Sequence, residues 1–426
     1  MSLALILILL VTVVLMLLGV EIFVCLGIGA ILFSLTSGAM PLENLGLVAF
    51  TGLDVFPLLA LPLYILTGDL ISEGGISKIL VDFAKATVGW IRGGLVLTTL
   101  WAAEGFSAIS GSNAATVAAM GRIMVPELKK DGYPVSFAAG SVACCGTVGI
   151  ITPPSIILIL YGVTSGVPVG DLFVAGIFPG LVMVIAMSTT AFLLCYYKRI
   201  GTKTPFTFKN FVQRAWEAKL PFGATAIILG GIYGGIFTPT EAAAVAVAYC
   251  LLAGLFVTRK LKIRMLPRVS ESSAGVSGMI APVIVMAMIF SENLTILRLP
   301  ETGAEFLLGL SQNPTIIMVI IIVILLIAGC VMEAGPNVLI LTSLLAPVAT
   351  GMGYHPVHFG IIMIVTLAIG YVTPPFGMNL FVASSITNVE TMRVALAAVP
   401  YVIALILGLI VIILFPTLST IFLQVH

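Results

Sequence analysis

The chain has 426 residues, 60% of them hydrophobic and 9% charged, with a net charge of +1 and a mean hydropathy of +1.22. A soluble domain carries about 25% charged residues, so this composition excludes one and places the chain in a bilayer. The near-zero net charge offers nothing to a nucleic-acid partner. All six cysteines (Cys25, Cys144, Cys145, Cys195, Cys250 and Cys330) lie in apolar stretches, which argues against a disulfide framework.

The first apolar run, MSLALILILLVTVVLMLLGVEIF, lacks the basic leader and Ala-x-Ala-type cleavage site of a signal peptide and reads as the first membrane helix. A span needs about 20 apolar residues. On that measure crossings are expected near 2–18, 21–36, 52–70, 135–165, 170–196, 219–237, 241–257, 273–292, 357–387 and 394–418. Two of them are broken. GIITPPSI (149–156) and GYVTPPFG (370–377) set adjacent prolines inside apolar sequence, where proline removes a backbone donor and interrupts a helix. Two further apolar stretches, 94–128 and 315–350, are interrupted at the middle by SGSN (110–113) and EAGPN (333–337).

Basic residues give the orientation. They cluster at Lys78, Lys85 and Arg92, at Lys129 and Lys130, along 198–219, along 259–268 and at Arg393, and none lies between Arg298 and Arg393. The positive-inside rule makes these clusters cytoplasmic and turns 299–392 outward or into the membrane. The stretch 94–128 has basic residues on both flanks, so it is expected to be a re-entrant hairpin rather than a span. The stretch 315–350 has none on either side and fits a hairpin entering from the opposite face.

An offset of 221 residues aligns Pro126 with Pro347, Gly132–Tyr133 with Gly353–Tyr354, Gly149 with Gly370, and Thr152–Pro153–Pro154 with Thr373–Pro374–Pro375. The hairpin-tip asparagines Asn113 and Asn337 match within three residues of that offset. Each half then has three crossings, a hairpin, a broken crossing and a last crossing. Five full crossings is odd, so the second half is inserted upside down. The fold expected is an all-α polytopic membrane protein built as an inverted repeat, an arrangement whose broken helices meet near the midplane in secondary transporters.

Non-helical backbone at membrane depth is tolerated only where protein or a wet cavity surrounds it. An unwound TPP segment frees carbonyl oxygens, and a hard cation such as sodium takes oxygen ligands. The first cation site is therefore expected at Ser107, Ser110 and Asn113 of the hairpin with Gly149, Thr152 and Pro154 of the break. The second uses Gly329, Gly335 and Asn337 with Gly370, Thr373 and the backbone of Phe376–Met378 (Phe376 and Met378). One TPP can be a plain kink; two, each preceded by a glycine three residues earlier and each paired with a polar hairpin, argue for built sites. Between them, Ser112, Asn113, Thr116 and Asn337, beside the breaks at Pro153 and Pro374, would hold an anionic substrate. The half-helices starting at SGSNAAT and GPNVLIL aim their N-termini at it. Arg122 either joins the site or snorkels to the interface.

Glu104 and Glu333, near the hairpin tips, either balance a cation or carry a proton. Thr238-x-x-Glu241 is a capping box. Asp54, Asp69, Glu21 and Glu292 sit near expected helix ends and read as interfacial. His355, His358 and His426 fall in an outer loop or at the C-terminus without metal-ligand spacing, so no metal beyond sodium and no other cofactor is expected. Trp90, Trp101 and Trp216 fit interface anchors. An enzyme is disfavoured by the lack of HExxH, GxSxG and paired-Asp motifs, and an ATP-driven pump by the lack of a P-loop.

The motifs SAISGSNAATVAAMG, GTVGIITPPSIILILYG, GGIYGGIFTPTEAAAVAVAY, AGCVMEAGPNVLIL and AIGYVTPPFGMNLF, in that order over essentially the whole chain, closely resemble the large membrane subunit of TRAP (tripartite ATP-independent periplasmic) transporters. The resemblance implies sodium-driven uptake of an organic acid (a C4-dicarboxylate, a sialic or other sugar acid, or a sulfonate) by an elevator motion. It implies a location in the bacterial inner membrane. It also implies two partners, a small four-helix membrane subunit on a separate chain and a soluble periplasmic substrate-binding protein, besides membrane lipid. Its sodium sites, at hairpin tips and TPP breaks, map onto the residues named above. The expected division is scaffold at 1–92 and 219–312, transport domain at 93–168 and 313–390, a last helix with cytoplasmic linker at 169–218, and a C-terminal helix at 391–426. A free-standing sodium/carboxylate symporter of the same architecture is the alternative.

Overall fold

The computed structural model describes residues 3–38, 40–202, 205–311, 313–375 and 377–423, and they form helices and turns with no strand among them. The chain opens with α1 (Leu3–Leu17) and α2 (Ile22–Ser37), and α2 stops at Gly38, whose φ of 61° is the left-handed cap that glycine accepts without strain. A short α3 (Leu42–Leu53) precedes α4 (Ala60–Glu73) and α5 (Ile76–Val88). The first hairpin is α6 (Gly94–Ser110) and α7 (Asn113–Lys130). The first broken crossing follows as α8 (Val135–Cys145), α9 (Val148–Ile151) and α10 (Ile156–Ser165), and α11 (Val169–Lys198) closes the half.

The second half runs α12 (Phe208–Tyr233), α13 (Pro239–Leu252), α14 (Leu266–Ile296) and α15 (Leu299–Leu310). Its hairpin is α16 (Pro314–Val331) and α17 (Ala334–Gly351), its broken crossing α18 (Pro356–Gly370) and α19 (Met378–Thr387), and α20 (Thr391–Leu414) and α21 (Thr417–Thr420) end it. Among the described residues, eight helical segments are long and apolar enough to cross a membrane. The two arms α16 and α17 are counted among these, although only Met332 and Glu333 separate them.

The halves pack by exchange. The helix α2 lies on α14 while α4 lies on α13; α8 lies on α20 while α18 lies on α11; α7 lies on α19 while α17 lies on α10. Each pair is the other with the halves swapped, as a two-fold relation between repeats requires. The broken crossings occupy the centre: the most apolar window of Val135–Ser165 is wholly buried, as is every residue of Val357–Gly370. The interrupted backbone of the first crossing, Thr152 to Ser155, is thus kept from lipid, which could not satisfy it, whereas Pro374 and Pro375 of the second are exposed. Large apolar side chains such as Leu10, Ile327, Leu396 and Leu407 stay exposed on the outer helices, where hydrocarbon takes the place of water.

Several expectations need correction. Three short helices, α3, α5 and α15, lie where no crossing is expected. In α5 the buried Ile76, Leu80, Val81 and Ala84 share one face while Lys78 and Lys85 sit on another, so it is amphipathic rather than apolar throughout. The linker 198–219 is mostly helix, since α12 begins at Phe208. Arg214 bridges there to Glu217 at 2.7 Å and to Asp82 at 3.3 Å, which pins the polar first turns of α12 onto α5. Trp90 and Trp216 are exposed, and Lys219 lies 3.7 Å over the Trp216 ring, but Trp101 is half-buried in the middle of α6 and anchors no end. His355 caps α18 through Nδ1, which accepts from the Val357 amide, whereas His358 is buried in that helix's first turn, stacked on Tyr354; His426 lies outside the described residues.

Candidate functional site

The first hairpin tip is threaded into the first break. Ser112 ends the turn as the N-cap of α7, its hydroxyl accepting from the Ala115 amide. The Gly111 carbonyl accepts from the Ile156 amide at 3.3 Å, the donor that the break strands at the start of α10. The approach is close on both sides. A methyl group on Gly111 would lie 2.5 Å from the Pro154 carbonyl oxygen, and one on Gly149 would lie 2.7 Å from the Ser112 carbonyl oxygen. Gly111, with φ of 62°, also needs glycine for its backbone conformation.

Around this junction Ser107 and Thr116 share a hydrogen bond of 3.2 Å, and Thr116 also donates to the Ser112 carbonyl at 2.7 Å. The Ser110 hydroxyl is buried and has no partner among the described residues. Thr152 turns toward α6 and donates to both carboxylate oxygens of Glu104 at 3.0 Å, in a space that Gly180 of α11 leaves open. Glu104, by sequence a tip residue, is therefore a wall of the first break. The Pro153–Pro154 peptide is cis, and Pro153 faces Gly176 of α11.

The second junction is built differently. Gly329 and Gly370 meet backbone to backbone, and a methyl group on Gly370 would lie 2.6 Å from the Gly329 carbonyl carbon. Asn337 ties the two arms of its own hairpin, donating to the carbonyls of Ala328 at 3.0 Å and Met332 at 3.1 Å. Thr373 donates back to Ile369 at 2.8 Å. The carbonyl oxygens of Tyr371 and Thr373 both face Gly377, 2.8 and 3.0 Å from where a methyl group on it would sit. The Tyr371 hydroxyl accepts from the Ala334 amide at the start of α17. Pro374 and Pro375, joined by a cis peptide, are exposed, so this break is more open than the first, whose residues Thr152 to Ser155 are all buried. Phe376 lies outside the described residues.

Both tips open on one cavity of about 460 Å³. It is lined on one side by Ile65, Gly68 and Asp69 of α4 and by Met279, Ile280 and Ile284 of α14. On the other side lie the first turns of four helices: Ser112 to Ala115 at α7, Ile156 and Ile157 at α10, Glu333, Gly335 and Pro336 at α17, and Met378 at α19. No Lys, Arg or His is among its lining residues. Helix N-termini carry partial positive charge, so the four that reach this volume favour an anion there. The amides of Ala115, Ile156, Ala334 and Asn379 are, however, already engaged, and the carboxylates of Asp69 and Glu333 also line the cavity.

Of the residues expected from sequence, Ser110, Ser112, Asn113, Gly335 and Met378 line this cavity. Ser107, Thr116, Gly149, Thr152, Pro153, Pro154, Gly329, Asn337, Gly370, Thr373 and Pro374 do not line it; most of them sit behind the tips, shaping the junctions. Arg122 is not among the lining residues either. Two residues were missed. Asp69, read as interfacial, faces the cavity and accepts from Ser273 of α14 at 2.7 Å. Asn379, a single amide in the apolar run after the second break, accepts from Asn113 Nδ2 at 3.1 Å, and its burial beside a helix-breaking motif was the available signal. Among the described residues no group of three or more His, Cys, Asp or Glu could hold a metal.

A family model described as "Tripartite ATP-independent periplasmic transporter, DctM component" matches residues 9–418. The isethionate TRAP transporter permease protein DctMQ of Oleidesulfovibrio alaskensis is 41% identical over 397 residues, 92% of this chain and 62% of that one. The chain thus spans about three-fifths of that relative's length. The C4-dicarboxylate TRAP transporter large permease protein DctM of Pseudomonas aeruginosa is 36% identical over 394 residues, 92% of each chain. Among solved structures, the YdaH transporter of Alcanivorax borkumensis aligns with a TM-score of 0.61 over 88% of each chain at 14% identity, a likeness of fold.

Proposed function

The chain belongs to the DctM-component family of tripartite ATP-independent periplasmic transporters, and from that membership we propose that it imports a small organic acid across the bacterial inner membrane, driven by sodium, through an elevator motion. As a member it is a multi-pass permease subunit and not an enzyme. Its proposed partners are a small four-helix membrane subunit on a separate chain and a periplasmic binding protein that delivers the substrate. The relatives named for isethionate and for C4-dicarboxylates support a sulfonate or carboxylate as cargo, and sugar acids belong to the same class.

The observation that carries the reading is the convergence of four helix N-termini on a cavity whose only charged lining side chains are the Asp69 and Glu333 carboxylates, which nearby cations would have to offset. An anion is then held by backbone dipoles and by cations bound nearby rather than by an arginine clamp. The two junctions behind the tips supply oxygen-rich surroundings for those cations. At the first these are the Ser110 hydroxyl and the carbonyls of Ser112 and Pro154; at the second, the carbonyls of Tyr371 and Thr373. A hard monovalent cation prefers oxygen donors of this kind, and sodium is its natural candidate.

Substrate sits where two bodies face each other. The helices α2, α4, α13 and α14 pack among themselves as the scaffold, and the hairpins with the broken crossings form the moving body. The helices α11 and α20 pack on each other and on the broken crossings, so they travel with that body.

The test is uptake of labelled isethionate and of a C4-dicarboxylate into proteoliposomes holding this chain and its small subunit. The sodium gradient and the binding protein are each supplied or withheld. Uptake that needs both is expected. Sodium-driven uptake without the binding protein would identify a free-standing symporter, and uptake indifferent to sodium would remove the coupling ion from the proposal.

A further inference from the structure

We propose that Asn379 is a positioning residue that couples the two hairpin tips, so that cation binding at one junction raises affinity at the other. The inference rests on the sodium-coupled reading above. It is carried by one continuous chain of hydrogen bonds. At the first tip Asn113 Nδ2 donates to Asn379 Oδ1 at 3.1 Å. The backbone amide of the same Asn379 donates to the Tyr371 carbonyl, inside the second break, also at 3.1 Å. The Tyr371 hydroxyl in turn accepts from the Ala334 amide at the second tip. Asn113, Asn379, Tyr371 and Ala334 are all buried, so solvent does not compete for these bonds.

Asn379 also lies against the first broken crossing, just before its break. A methyl group on Gly146, in the bend between α8 and α9, would lie 2.4 Å from Asn379 Nδ2. That nitrogen is buried without a partner among the described residues. A side chain chosen only for packing at this place would be apolar, because an orphaned buried amide donor is unfavourable. A side chain with an accepting oxygen is needed if it must hold the first tip while the backbone of the same residue holds the second break.

The consequence is mechanical. Ordering the first tip around a cation fixes Asn113, hence the side chain of Asn379, hence the start of α19 and the Tyr371 carbonyl, one of the oxygens facing Gly377 at the second junction. The influence runs equally in reverse, since coupling between two equilibrium binding sites is reciprocal. Coupling of this kind changes affinity by about 5- to 150-fold, which moves the Hill coefficient of a two-site response from 1 toward 2.

The test is the equilibrium sodium-binding curve of the full complex, with the small subunit and binding protein present, because uptake that requires both ions is sigmoidal even when the two sites bind independently. The native curve is expected to be sigmoidal. Asn379→Leu, close in size but unable to accept from Asn113, should bring the Hill coefficient toward 1. Asn379→Asp, which keeps an accepting oxygen, should restore it. Tyr371→Phe deletes a single oxygen at the far end and should also lower the coefficient, and it keeps the proposal testable where Asn379→Leu does not fold. An unchanged coefficient in Tyr371→Phe, with or without a folded Asn379→Leu, overturns the relay. A native curve that saturates with sodium at a coefficient of 1 overturns the coupling alone. A curve without saturable sodium binding takes down the reading on which the coupling rests.

Discussion

A single methyl group added at Gly370 would have to share space with the Gly329 backbone, and one at Gly149 with the Ser112 carbonyl. Backbone cannot step aside as a side chain can, so Gly370→Ala and Gly149→Ala are expected to destabilise the protein by about 1–3 kcal/mol and to abolish most uptake. Gly278, on α14 with nothing within 4 Å, is the control: Gly278→Ala should leave the thermal midpoint in detergent unchanged or slightly raised. Thr152 makes a second residue-scale prediction. Its hydroxyl is the donor to the buried Glu104 carboxylate, so Thr152→Val should cost about 1–3 kcal/mol and raise the half-saturating sodium concentration, while Thr152→Ser should do neither. Thr373→Val should disturb stability less, because Thr373 donates only within its own turn. Equal midpoints for the two valine variants would remove Glu104 from the first junction. At this scale the sequence was informative where a polar or glycine residue interrupted an apolar run, as at Ser110, Asn113 and Gly335. Asp69 and Asn379 escaped because each is a lone polar residue in or near an ordinary helix, and what it faces is decided by elements brought in from far along the chain.

Helices and hairpins follow the same division. The two broken crossings and both hairpins were legible because TPP, SGSN and EAGPN cannot continue a helix through hydrocarbon. The short helices α3, α5 and α15 were not, since an amphipathic helix lacks the continuous apolar run that marks a span. Nor could the sequence distinguish the junctions: the repeated TPP motifs predict equivalent sites, yet the first is sealed and the second leaves Pro374 and Pro375 exposed. The start of α13 was read correctly. Thr238 accepts from the Glu241 amide at 3.3 Å while the Glu241 carboxylate accepts from the Thr238 amide at 2.8 Å. Losing that reciprocal cap in Thr238→Ala is expected to cost about 1 kcal/mol, seen as a lower melting midpoint with uptake kinetics unchanged.

For the whole molecule, the reciprocal packing of the halves fits an inverted repeat, and the distribution of basic residues then fixes which face is which. A cysteine placed at Thr350, exposed at the end of α17, should react with a membrane-impermeant maleimide applied from outside. One placed at Phe206, exposed between α11 and α12, should react only after the membrane is permeabilised. All six native cysteines are buried, so the background should be low. The reverse pattern would invert the orientation, and labelling of both from outside would break the repeat model.

The bond between Asn113 and Asn379 joins residues 266 positions apart. Translation at about 5–20 residues per second leaves the first hairpin without that partner for roughly 13 to 53 seconds after its own synthesis. For that interval a polar tip meant for the interior of the finished protein has no finished protein around it. The inserting machinery must shelter it, or the nascent chain must find provisional partners within its first half. Chains terminated before α19 would never be released from that condition, and a quality-control protease should clear them faster than chains cut after it.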